Sequence, residues 1–182
     1  MASYKDLGAD AATADAARDE LMAWIQEKNP DLLINTFDRP FQPLPHTAKT
    51  KAVAVKYEAV GGRHAAQILN VQPEQVQVFS ASRAVVYTRF NCPSSQSPSG
   101  TTSGKVVTIL ALGALDHDKG LPGIGSPAQH HKLDSGEVLC ASGDALQSFN
   151  PNLGRGQVGL AILTLWTIVA QPRDTAEGSR KS

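Results

Sequence analysis

The side chains best suited to chemistry in this chain of 182 residues lie in one stretch of its second half. Within Asp116–Asp144 the sequence places three histidines and five acidic residues: Asp116, His117, Asp118, His130, His131, Asp134, Glu137 and Asp144. Neutral imidazole nitrogens and carboxylate oxygens are ligands that Zn²⁺ and Fe²⁺ accept. One interpretation of the stretch is therefore a metal site formed by His130, His131 and Glu137. Adjacent residues on a strand point to opposite faces, so His130 and His131 could share a metal only from a turn.

A resemblance to a known family bears on this interpretation of a metal site. His131 with Glu137 is similar to the first motif of cupins, which implies a small cupin-like β-barrel, either a metal-dependent enzyme or a ligand-binding protein. Cupins have His-x-His before the Glu and a further His downstream, whereas no His follows His131 here. The sequence therefore favours the other interpretation, in which these residues are polar loop residues that face solvent and no metal is bound.

Other catalytic patterns are missing from the sequence. There is no Gly-x-Ser-x-Gly elbow, and Cys140 has no recognisable nucleophile context. The glycine-rich segment Gly120–Gly125 contains Pro122, which lacks a backbone N–H donor, so a phosphate-binding loop is not expected there. We therefore expect no catalytic residues, no cofactor and no enzymatic activity.

Composition narrows the range of partners. Lys+Arg and Asp+Glu balance at 17 each, and the basic residues are scattered, so tight autonomous binding of nucleic acid is disfavoured. Weak contacts with RNA, repeated over an assembly, stay open. The most apolar run, Val158–Ala170, is shorter than the roughly 20 residues of a membrane span, and we expect no membrane association. Cys92 and Cys140 have no metal-type spacing, and the sequence leaves open whether they are paired.

The N-terminal part predicts a helix over Asp10–Lys28, with an Asp as N-cap and a stop at Asn29-Pro30. Its apolar side chains Leu21, Trp24 and Ile25 form a narrow stripe. A stripe of that width fits a single neighbour, either the body of this chain or an adjacent subunit. We favour an acidic arm whose stripe contacts an adjacent subunit over a core helix.

The rest of the chain favours strands. Residues 51–60 (KAVAVKYEAV) alternate with period two and are followed by a predicted turn at Gly61-Gly62. Further strands are predicted over 76–90, with a bulge near 80–82, and over 105–115, 136–141 and 160–170, while the Ser/Pro/Gly-rich residues 92–104 predict an exposed loop. The pattern predicts a mainly β protein, an antiparallel, jelly-roll-like β-sandwich with an N-terminal α-helical arm. The predicted division is an arm and Pro-rich connector over 1–45, a sandwich over 46–172 and a polar tail over 173–182.

Three segments resemble coat proteins of small icosahedral plant viruses of the tymovirus type. Pro40-Phe41-Gln42 matches a Pro-Phe-Gln before their first body strand, Ser135–Gly143 is similar to their Gly-Gly-x-x-Phe-Cys-x-Gly-Gly segment, and Leu163–Pro172 is similar to a late strand ending in Ala-Gln-Pro. The family's Trp-Val-Pro motif has no match near Leu112-Gly113-Ala114. The resemblance implies a jelly roll that assembles into a shell around RNA.

The sequence therefore predicts a structural, self-assembling protein, most concretely a viral capsid subunit. It would form a homo-oligomer, for which icosahedral symmetry stays open, located in the virion and in the host cytoplasm before assembly. Two alternatives stay open at this point, the small cupin-like enzyme or ligand-binding protein and a structural component of a phage tail or adaptor.

Overall fold

Two long helices and a six-stranded antiparallel sheet form the framework of the chain. The computed structural model describes residues 3–91, 104–154 and 158–169. The helices are α1 (Ala11–Lys28) and α2 (Ala48–Leu69). The strands are β1 (Ser3–Leu7), β2 (Thr36–Phe37), β3 (Phe41–Leu44), β4 (Val76–Tyr87), β5 (Arg89–Phe90), β6 (Val106–Leu112), β7 (Gly123–Ile124), β8 (Glu137–Ser142), β9 (Leu146–Gln147) and β10 (Leu160–Ile168). Short 3₁₀ turns cover Pro30–Leu33, Pro73–Gln75, His117–Lys119 and Gly143–Ala145.

Helix α1 confirms the predicted helix but not the predicted arm. Asp10 caps it by accepting a hydrogen bond from the Thr13 backbone N–H at 2.8 Å, and Asn29 is its C-cap. Leu21 and Ile25 are 0% exposed in the core that this chain's own sheet and α2 build, and Trp24 packs against the same core. The prediction of an N-terminal arm was therefore wrong. The stripe does bury against one neighbour, and that neighbour lies within the chain.

Helix α2 replaces a predicted strand and turn. Residues 51–60 and the Gly61-Gly62 pair all lie inside this helix of 22 residues. Val53, Tyr57 and Gly61 are buried at spacings of four, which is a helical repeat, and the intervening Ala, Lys and Glu residues are good helix formers. The apparent period of two came from Val53, Val55 and Tyr57, and the helix leaves Val55 exposed.

The main sheet has the strand order β1-β8-β6-β10-β4-β3. Strands β4, β6, β8 and β10 confirm four of the predicted strands. The predicted bulge is also present, because the β4–β10 register shifts between Arg83 opposite Leu163 and Ser80 opposite Leu165. Two small pairs complete the β-structure, the parallel β2–β5 and the antiparallel β7–β9.

The two faces of the main sheet are covered differently. Both helices pack on one face, around the buried residues Leu110, Ile162 and Trp166. The opposite face is covered by residues 113–136 and 143–153, which flank β8 and whose leucines pack on Val85, Ile109 and Leu139. The fold is therefore β-rich but mixed, with helices on one side of the sheet, and the predicted jelly-roll sandwich is not found.

One core joins the N-terminal helix to the sheet, since Ala14 and Leu44 belong to the same buried cluster as Leu110. The division of the chain at residues 45 and 172 stays a prediction. Most of the predicted loop at 92–104, with Cys92, and the predicted tail at 173–182 lie outside the described residues. Cys140 is buried on β8. None of the described helices has the length and apolarity needed to cross a membrane.

Candidate functional site

The structure pairs His130 with a different histidine from the one expected. His117 opens the 3₁₀ turn after β6, and its ring lies 4.0 Å from that of His130, centroid to centroid, at an angle of 49°. The Nδ1 atom of His117 lies 3.3 Å from the Leu121 carbonyl oxygen. This geometry is consistent with an Nδ1–H that donates to the carbonyl, which would leave Nε2 as the acceptor nitrogen.

His131 and Glu137 have other surroundings. The Nε2 atom of His131 is buried and has no hydrogen-bond partner, and burial, followed by the charges of Lys5 and His130, lowers the pKa of this imidazole. Glu137 forms an ion pair with Lys5 at 2.6 Å and accepts a hydrogen bond from the Asp134 backbone N–H. Burial opposes ionisation of Glu137, but these hydrogen bonds outweigh it and lower its pKa. Glu137 therefore helps to fasten the edge strand β1.

The candidate ligands do not come together as a metal site. Among residues 3–91, 104–154 and 158–169, no three His, Cys, Asp or Glu side chains form a group that could hold a metal ion. His130, His131 and Glu137, the set considered from the sequence, are thus not assembled into one.

A second polar region, which the sequence did not reveal, surrounds Arg89. Strand β5 pairs with β2 so that Arg89 lies opposite Thr36, and the Phe90 backbone N–H donates to the Pro151 carbonyl oxygen at 3.4 Å. The Nε–H of Arg89 donates to the Leu153 carbonyl oxygen at 2.5 Å. Three distant parts of the chain therefore enclose a depression of about 280 Å³. Its lining residues are Thr36, Arg89, Phe90, Asn91, Pro151, Asn152 and Leu153.

This Arg89 depression is electropositive. Its lining contains one cation and no acidic side chain, and none of the ion pairs found within the described residues involves Arg89. A guanidinium has five N–H donors in a planar fork, and the bond to Leu153 uses one. The Arg89 depression is therefore suited to a planar anion such as a carboxylate.

The sequence contained a weak signal for this site. Arg89 follows Val85 and Tyr87 at alternate positions, and both of those side chains are buried. A cation that continues a buried face needs a hydrogen-bond partner or a ligand. Nothing in the sequence brings Thr36 or Asn152 next to it.

A second depression, of about 380 Å³, lies between α2 and the edge of β4. Its charged lining residues are Glu58, Arg63 and Glu74. Because the signs are mixed, it has less capacity to select an anion than the Arg89 depression.

Comparisons with known proteins identify the fold. No protein-family model matches the chain, and neither does any curated protein. Among solved structures, AviO1 from Streptomyces viridochromogenes Tue57 is similar with a TM-score of 0.61 and 9% identity, over 94% of this chain and 91% of that one. HygX from Streptomyces hygroscopicus, with nickel and 2-oxoglutarate bound, is similar with a TM-score of 0.58 and 11% identity, over 92% of this chain and 83% of that one. A Pseudomonas putida prolyl-4-hydroxylase is similar with a TM-score of 0.52 and 10% identity, over 93% of this chain and 94% of that one. The chain thus shares the overall, cupin-type fold of these solved structures.

These similarities correct the main functional prediction. The neighbours are not viral coat proteins, so the tymovirus resemblance, the capsid function and the virion location were wrong. The expectation that the protein is not an enzyme is overturned as well, because the neighbours include a hydroxylase and a protein with bound 2-oxoglutarate. Of the interpretations made from the sequence, the cupin-like alternative agrees with the fold.

The metal that this fold implies does not fit the described residues. Non-haem iron oxygenases hold their metal with two histidines and one carboxylate. All five histidines of the chain lie in the described ranges, and none of them belongs to a group of three donors there. No step of a reaction is therefore assigned to a metal ion in this chain.

Proposed function

We propose that this chain is an enzyme of the cupin-type fold that acts on a small organic molecule carrying a carboxylate, which Arg89 binds. The electropositive Arg89 depression is the observation that carries the proposal. The fold supports it, because HygX has the dicarboxylate 2-oxoglutarate bound. We therefore take 2-oxoglutarate and related small acids as the first compounds to test.

The chemistry of the Arg89 depression favours recognition of one carboxylate group. Arg89 is half-buried, and its bond to the Leu153 carbonyl oxygen holds the guanidinium in place. A guanidinium pairs with a carboxylate through two parallel hydrogen bonds, which a lysine ammonium cannot reproduce. Thr36, Asn91 and Asn152 add neutral polar groups around it. The volume of about 280 Å³ is close to the lower end of the roughly 300 to 1,000 Å³ of small-molecule sites, which indicates a small metabolite.

The test is calorimetric titration of the purified protein with 2-oxoglutarate, succinate and the uncharged dimethyl ester of 2-oxoglutarate. We expect the acids to bind and the ester not to. Arg89→Gln should weaken binding of the acids by about tenfold or more, because a hydrogen bond to a charged group contributes about 1.5 to 3 kcal/mol. Arg89→Lys should retain part of the affinity. Conversion of any bound acid, followed by mass spectrometry, should be lost in Arg89→Gln.

A matched control is available on the neighbouring strand. Arg83 lies on β4 and is exposed, so Arg83→Gln removes the same charge at a distance from the Arg89 depression and should leave binding unchanged. Equal losses in the two variants would mean that net charge alone attracts the acid. No binding of any acid by the wild-type protein would remove the proposal.

A further inference from the structure

We infer that this chain binds its carboxylate ligand without a metal ion, in contrast to HygX, whose structure contains nickel together with 2-oxoglutarate. The inference rests on the proposed function and specifies how the ligand is held. It follows from where the metal-ligating side chains lie, from what lines the Arg89 depression and from what fills the space beside the sheet.

Two of the five histidines are engaged on the helix side of the sheet. His46 lies just before α2, with its Nε2 atom 2.7 Å from the Ser82 carbonyl oxygen and its Nδ1 atom 3.4 Å from the Thr50 hydroxyl oxygen. His64 lies on α2 between Asp6, at 3.3 Å, and the Tyr57 hydroxyl, at 3.4 Å. An imidazole nitrogen that is hydrogen-bonded in this way is not free to bind a metal. Neither residue lines the Arg89 depression.

The other three histidines lie in the part of the chain that covers the opposite face, and among the described residues no three donors there form a group that could hold a metal ion. The rings of His117 and His130 are in contact, tilted by 49° to each other. Asp116, next to His117, accepts the Lys119 backbone N–H at 3.1 Å, and Glu137 is paired with Lys5. Two imidazoles without a carboxylate fall short of the three protein ligands that non-haem iron sites use.

The Arg89 depression is itself unsuited to a divalent cation. Among the described residues, its lining contains no His, Cys, Asp or Glu, so these residues supply none of the usual nitrogen, sulfur and carboxylate ligands there. The guanidinium of Arg89 would also repel a metal ion placed beside the bound acid. The negative charge of the ligand is therefore compensated by Arg89.

The space between the sheet and its irregular cover is filled by apolar side chains. Five leucines of the cover are at most 6% exposed and pack on the sheet: Leu115, Leu121, Leu133, Leu146 and Leu153. Interiors packed in this way have little room for a cofactor. Of the two depressions described above, one lies beside α2 and the other at the end of this cover, next to Leu153.

The experiment is titration of 2-oxoglutarate into protein freed of metals by EDTA, repeated with Ni²⁺, Mn²⁺ and, without oxygen, Fe²⁺. We expect the dissociation constant to change by less than about twofold between these conditions. His130→Ala, which removes half of the His117–His130 pair, should bind the acid as the wild-type protein does, and circular dichroism would verify that it is folded.

The outcomes separate the two proposals. Binding that requires a metal, or that a metal tightens by about tenfold or more, would overturn metal-independent binding while leaving a carboxylate-binding function in place. Loss of that metal effect in His130→Ala would then place the metal at the His117–His130 pair. No binding under any condition would overturn both proposals, because no ligand would be left to explain.

Discussion

Arg89 and His131 are both partly buried polar residues, and they differ in what surrounds them. Arg89 lies among neutral polar groups in a depression open to solvent, with one hydrogen bond to the Leu153 carbonyl. His131 has a buried Nε2 atom with no hydrogen-bond partner, and its pKa is lowered. The surroundings of Arg89 favour an anionic ligand. The surroundings of His131 favour the neutral form of its imidazole, which carries no charge to bind an anion.

Two histidines should make the stability of the fold depend on pH. Burial lowers the pKa of His64 and of His131 below the ordinary value of 6.5. Asp6 opposes the shift at His64 by raising its pKa. The unfolded chain therefore takes up protons before the folded one as the pH falls. The free energy of unfolding should decrease as the pH falls through 6.5 toward the lowered values.

Urea unfolding at about pH 7.5 and about pH 5.5 would measure this decrease. We expect the doubly substituted chain, His64→Gln with His131→Gln, to lose less stability than the wild-type protein over the same interval. Carboxylates with lowered pKa values, such as Glu137, stay ionised throughout. An equal decrease in both proteins would show that these histidines are not its source.

Helix α2 is the element that the sequence misrepresented most, and its two central glycines explain part of the error. A Gly-Gly pair usually marks a turn. Here Gly61 lies where α2 crosses the sheet, and a Cβ atom placed on it would be 2.6 Å from the Trp166 ring and 2.8 Å from the Tyr57 ring. Gly61 therefore permits close packing of the helix, and a turn is not needed to account for it.

The Gly61-Gly62 pair offers a matched test of that packing. Gly61→Ala should lower the free energy of unfolding by about 1 to 3 kcal/mol, because two buried aromatic rings would have to move. Gly62→Ala brings a Cβ only to 3.7 Å from Trp166 and should stabilise the helix by about 0.5 to 1 kcal/mol. Urea unfolding of both variants measures the difference. Equal effects would contradict the close contact at Gly61.

At the scale of the whole molecule, the sequence predicted the strands of the main sheet better than it predicted what packs against that sheet. Strands β6, β8 and β10 could be located because apolar residues alternate or run together in them. Similar patterns occur in many antiparallel sheets, and for that reason short matches such as Ser135–Gly143 suggested a coat protein. Helix α2 was missed because Val53, Val55 and Tyr57 imitate a strand. Self-association and contacts with RNA stay predictions.

The candidate site could not have been predicted from spacing. The histidine-rich stretch stood out because its residues are close in sequence. The structure divides them between a pair of tilted rings, a partly buried ring and an ion pair. The Arg89 depression joins residues near positions 36, 89 and 152, which come together only when the strands pair. Long-range pairing of this kind is the information that a single sequence does not contain.

The most direct test of the account is a crystal structure of the protein grown with both 2-oxoglutarate and Mn²⁺. We predict that a carboxylate of the ligand lies within hydrogen-bonding distance of the Arg89 guanidinium, next to Thr36 and Asn152, with no metal ion beside it. A ligand bound at His117 and His130 together with a metal, or one inserted between the sheet and its leucine cover, would contradict the account.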